Sequence, residues 1–197
     1  MSEYEVATSL PVSVDQAFAY HERPGALARL CPPWKNIVVE STDGSLKPGS
    51  TVVLRIKAGP VSIRWVAGHT EYSPPNLFVD VQHSGPFASW RHEHHFESSG
   101  IASSVLRDSI SYSLPMGSLG RILGGRSARR ELETMFAYRH RVTKDDLYLS
   151  AKFPVQPMRI AVSGASGLVG GNLCAFLTLI GHDVIRLERS LDRKGDD

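Results

Sequence analysis

Polar and apolar positions alternate with a period of two through most of the first 114 residues and then change to a period near 3.6. Tyr4 to Leu10 is short and alternating, and Ser13 stands as an N-cap before Val14-Asp15-Gln16-Ala17-Phe18-Ala19-Tyr20, so a strand leads into a helix. Pro24 and Gly25 end that helix. Ala26 to Leu30 forms a second short one, which stops at Pro32-Pro33 because proline lacks the N–H donor and disfavours helix before it. Strands are predicted at Ile37–Glu40, Thr51–Lys57, Val61–Tyr72, Leu77–His83, Ala88–Glu97 and Ile101–Leu114, separated by Gly, Pro, Asn and Ser clusters. This is an antiparallel meander. Ala128, Leu132, Met135, Phe136 and Arg139 then fall at helical spacing within one long helix from about Ser118 to Arg141, weakened near its start by Gly124-Gly125. Thr143 to Pro157 shows no clear period and is expected to be a linker.

A second pattern begins at Met158. Met158–Ser163 is a buried-type strand running into glycine, Leu168 to Ile180 is a helix, and Asp183–Leu187 is a second strand. Strand, glycine turn, helix and strand make one βαβ unit. The expected organisation is a first domain over 1–142, a linker over 143–157 and a nucleotide-binding segment over 158–197.

Composition narrows the possibilities without choosing among them. The chain has 197 residues, 42% hydrophobic and 21% charged, as in ordinary globular proteins. Its 22 basic and 20 acidic residues form no like-charged run, which argues against nucleic acid as a partner. The first residues have neither a basic nor an apolar leader character, and no stretch approaches a membrane span, so a cytoplasmic protein is expected. Cys31 and Cys174 fall in different predicted domains and are expected to be free thiols.

Chemistry concentrates in two places. Gly164-Ala165-Ser166-Gly167-Leu168-Val169-Gly170 is a Gly-x-x-Gly-x-x-Gly pattern between a predicted strand and a predicted helix. Such a turn needs a residue without Cβ, a pyrophosphate approaches backbone only where no side chain intervenes, and the helix start offers free N–H groups to phosphates. The second place is Trp90-Arg91-His92-Glu93-His94-His95-Phe96-Glu97. Trp90, His92, His94 and Phe96 share one face, and the next strand puts Leu106, Asp108, Ile110, Tyr112 and Leu114 on one side. Joined through Ser98-Ser99-Gly100, these faces should coincide and bring His92, His94 and Asp108 inward. Three uses are open: an internal His–Asp hydrogen bond is the first expectation, a polar anchor for a cavity ligand the second, and a metal site lacking its third ligand the last. Trp90 and Tyr112 would line such a cavity. His69 and His83 are expected to be exposed, and no residue is assigned as catalytic nucleophile or metal ligand.

The tract from Met158 to Ser190 resembles the nucleoside-diphosphate-sugar epimerase-like branch of the extended short-chain dehydrogenase/reductase superfamily. That resemblance implies a Rossmann fold and pyrophosphate binding at Gly164, Ser166, Gly167, Leu168, Val169 and Gly170. Glu188 stands where a carboxylate would accept ribose hydroxyls and Arg189 where a 2′-phosphate would be held, so NAD and NADP are both admitted, with the arginine favouring NADP. The family's catalytic Tyr-x-x-x-Lys has one match, Tyr148 to Lys152, but it precedes the glycine turn and is treated as chance. The implied whole protein is an NAD(P)-dependent epimerase-like oxidoreductase, and these 197 residues alone are expected to be inactive.

The element order from Tyr4 to Arg141, with Leu10-Pro11-Val12-Ser13-Val14-Asp15-Gln16-Ala17-Phe18 at its start, resembles the START-like (SRPBCC, polyketide cyclase-like) helix-grip superfamily. The expected class is therefore α+β: an antiparallel sheet gripping a long helix, followed by the first βαβ unit of a Rossmann fold. The resemblance implies a small hydrophobic or aromatic ligand in the first domain and dinucleotide in the second. A cyclase-like enzyme using His92, His94 and Asp108, and a non-catalytic interaction domain, are the alternatives. One βαβ unit leaves apolar surface that must dock on the first domain, pair in a homo-oligomer, or fray.

Overall fold

The computed structural model describes residues 1–58 and 60–187. Glu188 and Arg189 lie outside the described residues. Seven strands, β1 (Ser2–Leu10), β2 (Asn36–Thr42), β3 (Thr51–Ala58), β4 (Val61–Ser73), β5 (Leu77–Ser84), β6 (Ser89–Gly100) and β7 (Ser103–Ser113), form one antiparallel sheet. Its order is β1-β7-β6-β5-β4-β3-β2, so the chain is mostly a single meander closed by the first strand. Two helices leave the sheet between β1 and β2: α1 (Val14–Glu22) and α2 (Ala26–Leu30). Helix α1 starts at a capping box, in which Ser13 Oγ accepts from Gln16 N–H while Gln16 Oε1 accepts from Ser13 N–H. Gly25, at φ +88°, makes the bend between the two helices.

The long helix α3 runs from Gly117 to Lys152, eleven residues beyond the predicted end at Arg141. The expected linker from Thr143 is therefore mostly helix, and only a short segment after Lys152 joins the two units. The reason lies in the buried stripe Leu132, Phe136, His140, Thr143 and Leu147, which keeps helical spacing but places two polar side chains where apolar ones would reveal the period. Phe153 caps the helix outside the helical region because Pro154 follows it. The hairpin between β6 and β7 also turns later than expected: Ser98–Gly100 belong to the strand, and Ile101-Ala102 make the turn. The β6–β7 register opposes Trp90 to Tyr112, His92 to Ile110, His94 to Asp108 and Phe96 to Leu106.

One apolar cluster joins α1 and α2 to the sheet through Phe18, Tyr20, Phe78, Phe96 and Leu106. Another joins α3 to β1, β6 and β7 through Tyr4, Trp90, Ile110, Tyr112, Leu132 and Phe136. The last part is a small separate layer. Strands β8 (Arg159–Ser163) and β9 (Asp183–Leu187) pair in parallel, with helix α4 (Leu168–Leu179) connecting them. Val162, Ala165 and Cys174 pack between α4 and this pair, while Ile185 and Leu187 remain exposed. The far side of α4 rests on the first unit: Leu179 is fully buried in its cluster, and the Arg29 guanidinium lies 5.5 Å from the Phe176 ring centroid. Among the described residues no helix is long and apolar enough to cross a membrane.

Candidate functional site

The pleat of β5, β6 and β7 brings four titratable side chains to one inward row, and α3 adds a fifth. Asp80 stands opposite His92, and His94 stands opposite Asp108. His92 Nε2 is 3.0 Å from Asp108 Oδ1, and its Nδ1 is 3.2 Å from Asp80 Oδ2. His94 Nε2 lies 3.4 Å from the same Asp80 oxygen. His94 Nδ1 lies 2.8 Å from Asp108 Oδ1 but off the direction in which a ring N–H donates, so this buried nitrogen makes no hydrogen bond. His140 Nε2 completes the set at 2.7 Å from Asp108 Oδ2.

Aromatic rings fill the space around this row. Phe78 stacks on His94 with centroids 3.9 Å apart, and Phe136 meets His92 edge-on at 5.2 Å. His92, Asp108 and His140 are buried, and Asp80 and His94 keep a small exposed fraction. A surface cavity of about 450 Å³ lies elsewhere, against Trp34 and Tyr138, and none of Trp90, His92, His94, Asp108 or Tyr112 lines it. Trp90 and Tyr112 pack against Phe87, with their indole and phenol rings in the core.

Electrostatics follow from the burial. Desolvation alone would lower the His92 pKa, but the Asp80 charge and hydrogen bonds to Asp108 and Asp80 outweigh it and push His92 up to about 9. Burial acts to raise both carboxyls, yet His92 and His94 hold Asp80 far below the usual carboxylate range. His94, His140 and His92 do the same for Asp108. His21 on α1 goes the other way: burial first, then the nearby His94, lower it to about 4. His69, expected to be exposed, is buried beside Phe78, and desolvation lowers its pKa. His83 is exposed.

Asp80, His140 and His21 were not among the residues picked out by sequence. Strand β5 is apolar on both faces, with Phe78 and Val79 both buried, so alternation does not say which way Asp80 points. His140 sits in Arg139-His140-Arg141, which resembles a solvated run; only its place in the buried helical stripe gives it away.

The glycine turn has a definite geometry. Gly164 adopts φ +67°, Gly167 N–H donates to Gly164 O at 3.0 Å, and α4 begins at the next residue. A Cβ on Gly170 would lie 2.1 Å from Gly164 O, so the helix can approach the strand end only over glycine. No side chain caps α4, which leaves its first backbone N–H groups to other acceptors. Leu168 and Val169 are exposed at this end, and Ser166 lies within the turn. The Tyr148–Lys152 pair lies on the last turns of α3, exposed, with Nζ 2.9 Å from the phenol oxygen.

The family model described as polyketide cyclase / dehydrase and lipid transport matches residues 10–136, which is most of the chain. The chain belongs to this family. A solved nucleoside-diphosphate sugar epimerase from Corynebacterium glutamicum is 29% identical over 95% of this chain, with a TM-score of 0.75. The match spans 39% of that structure, so this chain covers well under half its length. The ZhuI aromatase/cyclase from a Streptomyces strain shares the fold of this cyclase-family chain, at 11% identity and a TM-score of 0.57 over 76% of this chain and 95% of that one. A norcoclaurine synthase variant from Thalictrum flavum does so at 14% identity and a TM-score of 0.59, over 77% and 96%. No curated protein sequence matches the chain.

Proposed function

We propose that this chain is part of an NAD(P)-dependent, nucleoside-diphosphate-sugar epimerase-like oxidoreductase, in which a cyclase-family domain is docked on the nucleotide-binding unit. The observation that carries the reading is the extent of the likeness to the Corynebacterium glutamicum epimerase, which takes in 95% of this chain and so includes both units. The glycine turn supports it. Gly164 supplies the positive φ, Gly170 the close approach, and the uncapped start of α4 the donors that a pyrophosphate needs. Bound NADP or NAD would supply the hydride chemistry. The residues of this chain would hold its diphosphate through the backbone from Gly167 to Gly170, with Ser166 beside it and Leu168 and Val169 flanking it.

For the cyclase-family domain, a small hydrophobic or aromatic ligand is the expectation its family carries. The packing of Phe78, Phe136 and His140 around His92, His94 and Asp108 favours a domain whose interior holds polar chemistry in little space. The contacts of Leu179 and Phe176 with this domain also fit a role in holding α4 of the nucleotide-binding unit. The test is amide-resolved NMR of the 197-residue protein with increasing NADP. Saturable shifts confined to residues 163–171, abolished by Gly170→Ala, are expected. Shifts spread over the sheet surface, or none at millimolar NADP, would overturn the dinucleotide reading.

A further inference from the structure

We propose that Asp80, His92 and His94 form a binding site for one divalent transition-metal ion, with zinc as the reference ion. The three ligand atoms all lie within 4.8 Å of one another. Asp80 Oδ2 is 3.2 Å from His92 Nδ1 and 3.4 Å from His94 Nε2. An ion bound at about 2.0–2.1 Å to each ligand in a tetrahedron has ligand–ligand edges of about 3.3 Å, so the two edges from Asp80 match a coordination shell.

The far sides of the rings give a second, independent observation. A metal-bound imidazole keeps its other nitrogen oriented toward a carboxylate or carbonyl. Here Asp108 Oδ1 accepts from His92 Nε2 at 3.0 Å and so orients that ring, and it lies 2.8 Å from His94 Nδ1, which makes no hydrogen bond in the present rotation of its ring. Its other oxygen is tied to His140 Nε2 at 2.7 Å, which fixes the carboxylate plane.

Charge points the same way. Among the described residues, every ion pair of Asp80 and Asp108 is with a histidine; no lysine or arginine reaches either one. Two carboxylates thus face each other across neutral or singly protonated rings, and one dication with neutral imidazoles balances them. Two nitrogens and one carboxylate oxygen suit zinc, iron(II) or cobalt(II) and not magnesium. Three protein ligands leave a position open, and Asp80 and His94 are the members with residual exposure, so that position faces the route in from solvent. The site does not depend on the dinucleotide reading and is tested apart from it.

The untagged protein, freed of metal by chelator, is titrated with Co²⁺, whose visible d–d absorption reports coordination. Expected is a spectrum that saturates at one equivalent, is displaced by Zn²⁺ and is untouched by Mg²⁺. Asp80→Asn and His94→Gln, each confirmed folded by circular dichroism, should weaken binding roughly 100-fold or more, while His95→Gln, on the opposite face of β6, leaves it unchanged. No saturable absorption in the unmodified protein, or an unchanged midpoint in both ligand variants, overturns the site. If those variants do not fold, the unmodified protein decides: Zn²⁺ at saturation must raise its Tm, and no rise overturns the proposal.

Discussion

Arg29 on α2 and Asp146 on α3 form a two-pronged ion pair, with Nε 2.9 Å from Oδ2 and the second guanidinium nitrogen 2.9 Å from Oδ1. Tyr20 on α1 donates to the same carboxylate at 3.0 Å, and the outer face of the Arg29 guanidinium lies over Phe176 of α4. Four helices thus meet at one buried carboxylate. Burial and the Asp146 charge push the Tyr20 phenol far above its ordinary pKa, so it stays a donor at any working pH.

Asp146→Ala should therefore cost about 3 kcal/mol of stability, because it leaves a partly buried guanidinium without its partner and a buried phenol without its acceptor. Denaturant unfolding measures the loss. Hydrogen exchange should show faster opening of α4 as well, since Arg29 is then free to leave Phe176. A loss below about 0.5 kcal/mol would mean that solvent already screens the pair.

Gly170→Ala probes the turn. Its Cβ would meet the Gly164 carbonyl at 2.1 Å, between two backbone segments with no flexible side chain to yield. The helix must shift away from the strand end, so amides of β8 and α4 should lose protection while those of β5, β6 and β7 keep theirs. Gly171→Ala, where the added Cβ finds ordinary contact at 3.5 Å, should be tolerated. Because alanine raises helix propensity at both positions, equal loss in both variants would show that any side chain at this start of α4, and not the close approach to Gly164 alone, sets the effect.

How much of this was legible in the sequence depended on whether burial and polarity agreed. The β6–β7 face could be read because Trp90, Phe96, Leu106, Ile110 and Tyr112 frame the polar residues with strict alternation. The Ser13 N-cap and the glycine turn announce themselves through residue types that those geometries favour. Asp80 and His140 were hidden because one sits on a strand apolar on both sides and the other between two arginines. The last three turns of α3 were hidden for the same reason, since Thr143 and Asp146 are polar yet buried. Glu188 and Arg189, on which the choice between NAD and NADP turns, lie outside the described residues.

His21 sets an acid limb of stability. Its ring packs on Phe78 and Phe96, Nδ1 is 3.0 Å from Ala17 O, and the groups facing it are His94 from β6, Asp108 from β7 and His140 from α3. A folded pKa of about 4 lies below the unfolded value near 6.5, so the unfolded chain binds more protons between these pH values. The stability contributed is complete above about pH 6.5 and is lost as pH falls toward 4, by on the order of 2 kcal/mol. His21→Phe should flatten this limb in urea unfolding followed from pH 7 to pH 4. An equally steep limb in the variant would assign it to other groups.

Dinucleotide should bind the 197-residue chain weakly despite a well-formed turn. Parallel strands are normally covered on both faces, and here α4 covers one face of β8 and β9 while Ile185 is 41% and Leu187 51% exposed on β9. The two strands hold each other through a single register of five residue pairs, without neighbours on either edge among the described residues. Docking of α4 through Leu179 and Phe176 steadies the helix, but it acts at the end of α4 away from the glycine turn. A pyrophosphate must therefore hold the small strand pair against fraying as it binds, and that cost subtracts from affinity. The nicotinamide half meets no further strand among the described residues, so contacts are confined to the adenosine diphosphate half. Calorimetric titration with NADP, NAD and ADP should give similar affinities, with Kd values of about 1 mM, the nicotinamide moiety adding little. Micromolar affinity for either dinucleotide, with ADP far weaker, would show that a single βαβ unit on this domain already forms a complete crevice.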